Sequence, residues 1–309
     1  MTFACSLFGV PVESGTRQAG CLMGPDAYRS AGLKTTLEGL GLKVQDHGNL
    51  EPRLCHEAHH PNDSIHGLGD TIAWSDSLKD MAYTSMQAGD FPIFLGGDHS
   101  LSIGTVLGVS RHAEETGRPQ FVLWLDAHPD IHTLQTTQSG NLHGTPVAYF
   151  TGLPDFKGVF PTLDHPVQAR NICMMGIRSV DPAEKEHLSS SEIAVHDMRA
   201  IDEFGIVRPL RAFLERVKNE NGALHLSLDV DFLDPQIAPA VGTTVPGGAT
   251  FREAHLIIEL LHESGLVTSL DLVELNPYLD ERGRTARLMV DLCASLMGRS
   301  VLEYPTQSF

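Results

Sequence analysis

Short apolar runs alternate with longer amphipathic stretches from one end of the chain to the other. Phe3–Val10, Phe91–Leu95, Phe121–Leu125, Ile172–Gly176, Leu224–Val230 and Thr268–Leu275 are mostly unbroken apolar runs. At about five to eight residues each they predict strands, and their continuity predicts burial on both faces of a parallel sheet. Between them, Asp26–Leu40, Ser64–Ala88, Ser100–Arg111, Val207–Lys218, Arg252–Glu263 and Arg284–Leu296 read as helices. This alternation predicts an α/β fold around a central, mostly parallel, doubly wound sheet. No internal repeat, low-complexity tract or Pro-, Gly- or Ser-rich linker interrupts it, so one domain over residues 1–309 is expected.

In such a fold ligands gather beyond the carboxyl ends of the strands. The residues that follow the apolar runs are therefore the informative ones. They are Gly96-Gly97-Asp98-His99-Ser100, Asp126-Ala127-His128-Pro129-Asp130, Ser227-Leu228-Asp229-Val230-Asp231 and Val273-Glu274-Leu275-Asn276-Pro277. Asp126, His128 and Asp130 have the i, i+2, i+4 spacing that an extended backbone presents on one side, and Asp229 and Asp231 repeat it. With His99 they supply four carboxylates and two imidazoles, enough for two metal ions. Four bare carboxylates brought together repel and protonate, whereas two divalent cations neutralise all four. Oxygen-rich donors with some imidazole suit Mn²⁺ better than Zn²⁺, with Fe, Co and Ni left open. Taken singly, an Asp-x-Asp after a strand is commonly a turn or a cap, and Gly-Gly-Asp-His serves equally as a tight turn. Three such pieces at strand ends favour the metal site.

Composition narrows the field. The chain has 309 residues, of which 41% are hydrophobic and 20% charged, with 29 Gly and 18 Pro, which excludes disordered and collagen-like classes. A net charge of −17 without a basic stripe argues against nucleic-acid binding. No apolar run approaches the ~18 residues of a membrane helix, and Met1–Val10 lacks a basic leader, so a cytoplasmic protein is expected. The five cysteines (Cys5, Cys21, Cys55, Cys173, Cys293) are scattered and form no C-x-x-C pair, as reduced thiols would be. Asn62-Asp63-Ser64 is read as a chance sequon. His56-Glu57-Ala58-His59-His60 contains the zinc-protease spacing, which works only on a helix, yet Pro52 and Pro61 flank it; a loop is expected there. No dinucleotide or phosphate-binding glycine loop and no Gly-x-Ser-x-Gly elbow is present.

Gly96–Ser100, Asp126–Asp130, Ser139-Gly140-Asn141-Leu142-His143-Gly144 and Ser227–Asp231 with Leu233-Asp234-Pro235 and Gly242-Thr243 resemble the signatures of the ureohydrolase superfamily. The match runs from Gly9–Gly15 to Asp271–Pro277, and Thr136–Gly144 is similar to arginases rather than agmatinases. The resemblance implies a three-layer α/β/α fold, a homo-oligomer (trimer or hexamer) and two manganese ions per subunit. The activity it implies is hydrolysis of L-arginine to L-ornithine and urea by attack of a metal-bridging hydroxide on the guanidinium carbon. It assigns His99, Asp126, Asp130 and Asp231 to one metal, and His128, Asp126, Asp229 and Asp231 to the other. Glu274 is implied to pair with the guanidinium, Asp130 to pass a proton to the leaving amine, and His143 to shuttle protons. For the α-carboxylate it implies Ser139, Asn141 and His132; for the α-amine, Asp181, with Glu184 and Thr243 nearby. His132 departs from the family pattern, where many arginases have Asn. Other readings are an agmatinase or guanidino-acid hydrolase, a non-catalytic metal-binding subunit on the same scaffold, or a protease using His56.

Overall fold

Alternation along each central strand builds two apolar faces. Cys5 and Leu7 on β1 (Ala4–Val10), Ile93 and Leu95 on β3 (Phe91–Gly96), and Leu123 and Leu125 on β4 (Gln120–Leu125) point into one core. Phe8, Phe94 and Trp124, one position out of phase, point into the other. Both faces are therefore covered, as expected for unbroken apolar strands. The computed structural model describes residues 4–53 and 57–300. Phe3, Cys55 and His56 lie outside the described residues.

The remaining strands are β2 (Lys43–Asn49), β5 (Ile172–Ile177), β6 (Ala194–Asp197), β7 (Ala223–Asp229) and β8 (Val267–Val273). They join into one eight-stranded sheet of order β2-β1-β3-β8-β7-β4-β5-β6. Every pairing is parallel. The helices are α1 (Gly24–Ser30), α2 (Leu33–Gly39), α3 (Leu68–Gln87), α4 (Ser102–Glu115), α5 (Pro146–Phe150), α6 (Pro182–Ser189), α7 (Met198–Phe204), α8 (Val207–Asn219), α9 (Phe251–Ser264) and α10 (Arg284–Leu296). The first core takes residues of α1, α2 and α7 to α10, and the other face is covered by α3, α4 and α5, which gives three layers. Among the described residues no helix is long and apolar enough to cross a membrane.

Three sequence expectations change in detail. Asp26–Leu40 is two helices, because the chain turns through Gly32 in the left-handed region (φ 87°). Ser64–Ala88 becomes helical only at Leu68, after Gly67 at φ 62°. A Cβ on Gly67 would stand 2.2 Å from the Ser14 carbonyl, so glycine is required there on two counts. The edge strands β2 and β6 carry no continuous apolar run, and the strand pattern does not announce them. Glu57–His60 has no regular structure, in keeping with a loop.

Candidate metal centre

The four strands that end in acids and histidines, β3, β8, β7 and β4, are consecutive in the middle of the sheet. Their carboxyl ends surround one cavity of about 270 Å³. Its walls include His99, Asp126, His128, Asp130, Asp229, Asp231 and Glu274. Further lining comes from the exposed Ser139 and Asp181 at its mouth, the half-buried His132, Asn141, His143 and Thr243, and the buried Glu184. All fourteen residues singled out in the sequence thus meet in one place.

Local backbone places the ligand atoms. Gly96-Gly97 carries the chain out of β3, and a Cβ on Gly97 would lie 1.8 Å from the Val12 carbonyl. Asp98 turns away from the cavity, accepting the N–H groups of Gly15 (2.8 Å) and Ser100 (2.9 Å), so it is the capping Asp of this turn. His99 follows, stacked on Trp124 with ring centroids 4.1 Å apart. Asp126–Asp130 does not continue β4 as an extended strand. The segment bends, and Asp130 adopts a left-handed φ of 48°, which corrects the reason given by the i, i+2, i+4 spacing. Asp229 closes β7, whereas Asp231 lies in a 3-10 turn, Val230–Phe232, and donates its N–H to Asp229 Oδ1 at 2.7 Å.

Two clusters result. His99 Nδ1 lies 3.0 Å from Asp126 Oδ2, 3.1 Å from Asp130 Oδ2 and 3.0 Å from Asp229 Oδ2. His128 Nδ1 lies 2.9 Å from Asp231 Oδ2 and 3.6 Å from Asp126 Oδ1. The resemblance gave Asp231 to both metals and Asp229 to that of His128 alone; the geometry brings Asp229 to His99 and turns Asp231 towards His128. The donor set fits cations. His99 Nδ1 and Asp126 Oδ2 are buried without a hydrogen-bond partner, although His99 Nε2 is engaged by Ser227 Oγ at 2.8 Å. A Ser227 contact at Nε2 leaves the Nδ1 lone pair facing three carboxylate oxygens, an arrangement that a cation satisfies.

The bare electrostatics conflict in the way such a site should. Burial and the Asp126 charge push the Asp130 carboxyl up to about 6, and burial with Asp231 and Asp126 raises Asp229 well above its usual range. Against the opposing effect of burial, Asp231 and Asp126 drive the His128 imidazole up to about 12. Main-chain groups donate to two of the carboxylates: Ala127 N–H to Asp231 Oδ1 at 2.9 Å and His128 N–H to Asp126 Oδ1 at 2.6 Å. Thr243 Oγ1 donates to Asp231 Oδ2 at 3.1 Å.

Glu274 sits beside these clusters, 2% exposed and at φ 65°. Its Oε1 accepts the His99 N–H (2.7 Å) and faces His143 Nδ1 (2.8 Å). Burial disfavours both charges, but each supports the other: Glu274 is held low, and His143 is raised to about 9. The opposite oxygen, Oε2, accepts from the Cys21 thiol at 3.6 Å. At the mouth, Asn141 Oδ1 is 2.8 Å from His66 Nε2, and Asp181 with Glu184 forms the capping box of α6. Asn62, of the sequon, donates from Nδ2 to the carbonyls of Leu134 (3.0 Å) and Thr137 (2.9 Å) and so ties down the loop beneath Ser139.

Sequence reasoning missed Ser227, Cys21, His66 and Thr137. Ser227 lies two residues before Asp229 on the same face of β7, a spacing that could have flagged it. The other three come from distant segments, and no local pattern points to them.

Comparison with known proteins identifies the family. The Arginase family model matches residues 3–298. The arginase of Brucella melitensis is 62% identical over 305 residues, covering 99% of both chains, and that of Agrobacterium fabrum is 60% identical over 99% of this chain and 94% of its own. The solved arginase of Bacillus caldovelox superposes with a TM-score of 0.88 at 36% identity, over 97% of this chain and 99% of its own. The arginase of Entamoeba histolytica, solved in complex with L-ornithine, gives 0.85 at 25% identity, over 97% of this chain and 100% of its own. From its strand-end ligands to these full-length matches, the chain belongs to the arginase family and is an enzyme of the hydrolase class.

Proposed function

We propose that the protein hydrolyses L-arginine to L-ornithine and urea, using two manganese ions. The observation that carries this reading is the placement of Glu274, a buried carboxylate bonded to the His99 N–H, in the cavity that both ligand clusters line. A guanidinium carbon is a poor electrophile because the cation is delocalised and stays protonated. Two divalent cations, when bound, supply Lewis-acid activation of water, whose unaided pKa of ~15.7 is far too high for attack at neutral pH. His99 with Asp126, Asp130 and Asp229 would hold one cation, and His128 with Asp126 and Asp231 the other.

The chain's own groups do the rest. Glu274, kept ionised by His143, pairs with the guanidinium and fixes its plane towards the clusters. Asp130 takes the proton of the attacking water and returns it to the leaving amine. His143, beside Glu274, exchanges protons with solvent. Ser139, Asn141 and His132 meet the α-carboxylate, and Asp181, with Glu184 and Thr243 nearby, the α-amine. The same reading takes residues 1–309 as one domain of a cytoplasmic homo-oligomer, a trimer or hexamer.

The test is urea release from L-arginine and agmatine, side by side, after loading with Mn²⁺. Release from arginine alone is expected. Release from agmatine instead would overturn the assignment of the carboxylate-reading residues, His132 first. Urea from neither would contradict the reaction.

A further inference from the structure

His132 does not stand free at the cavity mouth. Its Nε2 lies 3.1 Å from Asp181 Oδ2 and 3.8 Å from Glu184 Oε2, and its Nδ1 lies 3.1 Å from Thr136 Oγ1. Thr136 Oγ1 already accepts the Thr133 N–H at 2.9 Å. Its single proton is then directed to the nearer acceptor, His132 Nδ1, rather than to the Thr133 carbonyl at 3.5 Å. With Nδ1 accepting, the ring donates from Nε2, and it donates to Asp181. The ring is 13% exposed and its backbone N–H is tied to Gly144 O at 3.0 Å, so it is held in this place. His132 thus engages Oδ2 of Asp181, and both oxygens of Glu184 are engaged by main chain: Oε1 accepts the Ile131 N–H (3.3 Å) and Oε2 the Asp181 N–H (3.0 Å).

We infer that His132 sets how strongly the site selects for an α-amino group, by occupying the carboxylate that would otherwise take it. This rests on the reading that Asp181 meets the substrate's amine. A carboxylate that already accepts a hydrogen bond from the protein attracts an ammonium less strongly than a free one. The same imidazole remains a donor beside the subsite for the substrate's carboxylate. The chain is accordingly built for linear ω-guanidino carboxylates, with the α-amine a weak determinant. An asparagine at this position, with a shorter side chain, reaches Asp181 less well and leaves that preference stronger.

The experiment compares ligands that differ only in the α-amine, so that every carboxylate contact cancels. Calorimetry of the Mn²⁺-loaded protein gives the ratio of affinities for L-ornithine and 5-aminovalerate. A ratio below about tenfold is expected for the unaltered protein, rising about threefold or more in favour of ornithine in His132→Ala. Thr136→Val, which frees the ring without removing it, moves the ratio the same way by less, and serves if His132→Ala does not fold. The ratio of kcat/KM for urea release from L-arginine and 5-guanidinovalerate should follow. An unchanged or reduced ratio in both variants overturns the inference. A shifted calorimetric ratio with no urea from any substrate would instead leave the inference standing and remove the proposed reaction.

Discussion

At the scale of single residues, the chemistry was legible where it is written in short motifs, and the geometry was not. His99, Asp126, His128, Asp130, Asp229 and Asp231 stand out because acids and histidines so rarely follow three apolar strands of one chain. Which carboxylate serves which histidine depends on a bend and a 3-10 turn that spacing alone does not encode. The left-handed backbone of Asp130 and Glu274 is equally silent in sequence, since nothing in a side-chain pattern reports positive φ at a non-glycine. The His143–Glu274 pair yields a prediction with a definite sign. The folded imidazole titrates at about 9, above the ~6.5 of an unfolded histidine. Its pairing therefore stabilises the fold in full below pH ~6.5 and loses that contribution as pH rises through about 9. Thermal melts of metal-free protein against His143→Gln should differ most at pH 6 and converge above pH 9. A difference that grows with pH would reverse the assignment.

At the scale of elements, the central strands were legible and the edges were not. Strands buried on both faces must be apolar throughout, as Phe91–Gly96 and Gln120–Leu125 nearly are. Lys43–Asn49 at the sheet's margin alternates between exposed and half-buried positions and contains Gln, Asp, His and Asn, so it carries no such run. The strand β7 shows a second effect. Its Leu224, Leu226 and Leu228 enter one core, while His225, Ser227 and Asp229 form a buried polar row beneath α4. Asp271 on β8 belongs to this seam: its Oδ2 accepts from Ser102 Oγ (2.8 Å) and Thr105 Oγ1 (2.6 Å), and His225 Nε2 lies 3.2 Å away. Removing the carboxyl would take the acceptor from two buried hydroxyls and the facing charge from His225 Nε2, whose Nδ1 stays paired with Ser269 Oγ at 2.8 Å. Asp271→Ala is expected to destabilise the fold by about 3 kcal/mol in equilibrium denaturation. A loss below about 1 kcal/mol would show that α4 is held by its apolar contacts alone.

For the whole molecule, the fold explains why the site is where it is. Eight parallel strands leave four neighbouring carboxyl ends in the centre of the sheet; the candidate metal ligands follow three of them, β3, β4 and β7, and Glu274 follows the fourth, β8. The net charge of −17 is partly concentrated there, as buried carboxylates that no lysine or arginine pairs with among the described residues. Their mutual repulsion opposes folding, and bound cations would cancel it, so the proposed metal centre bears on stability as well as chemistry. The most direct measurement is therefore a titration of metal-free protein with Mn²⁺, following bound metal by elemental analysis and urea release from L-arginine in the same samples. Two ions per chain are expected, with turnover appearing as the second is taken up. In Asp231→Ala, which loses the carboxylate turned towards His128, no more than one ion should bind tightly and turnover should be lost. Full turnover with one ion or none, or an Asp231→Ala variant that binds two ions and works normally, would contradict a two-metal hydrolase.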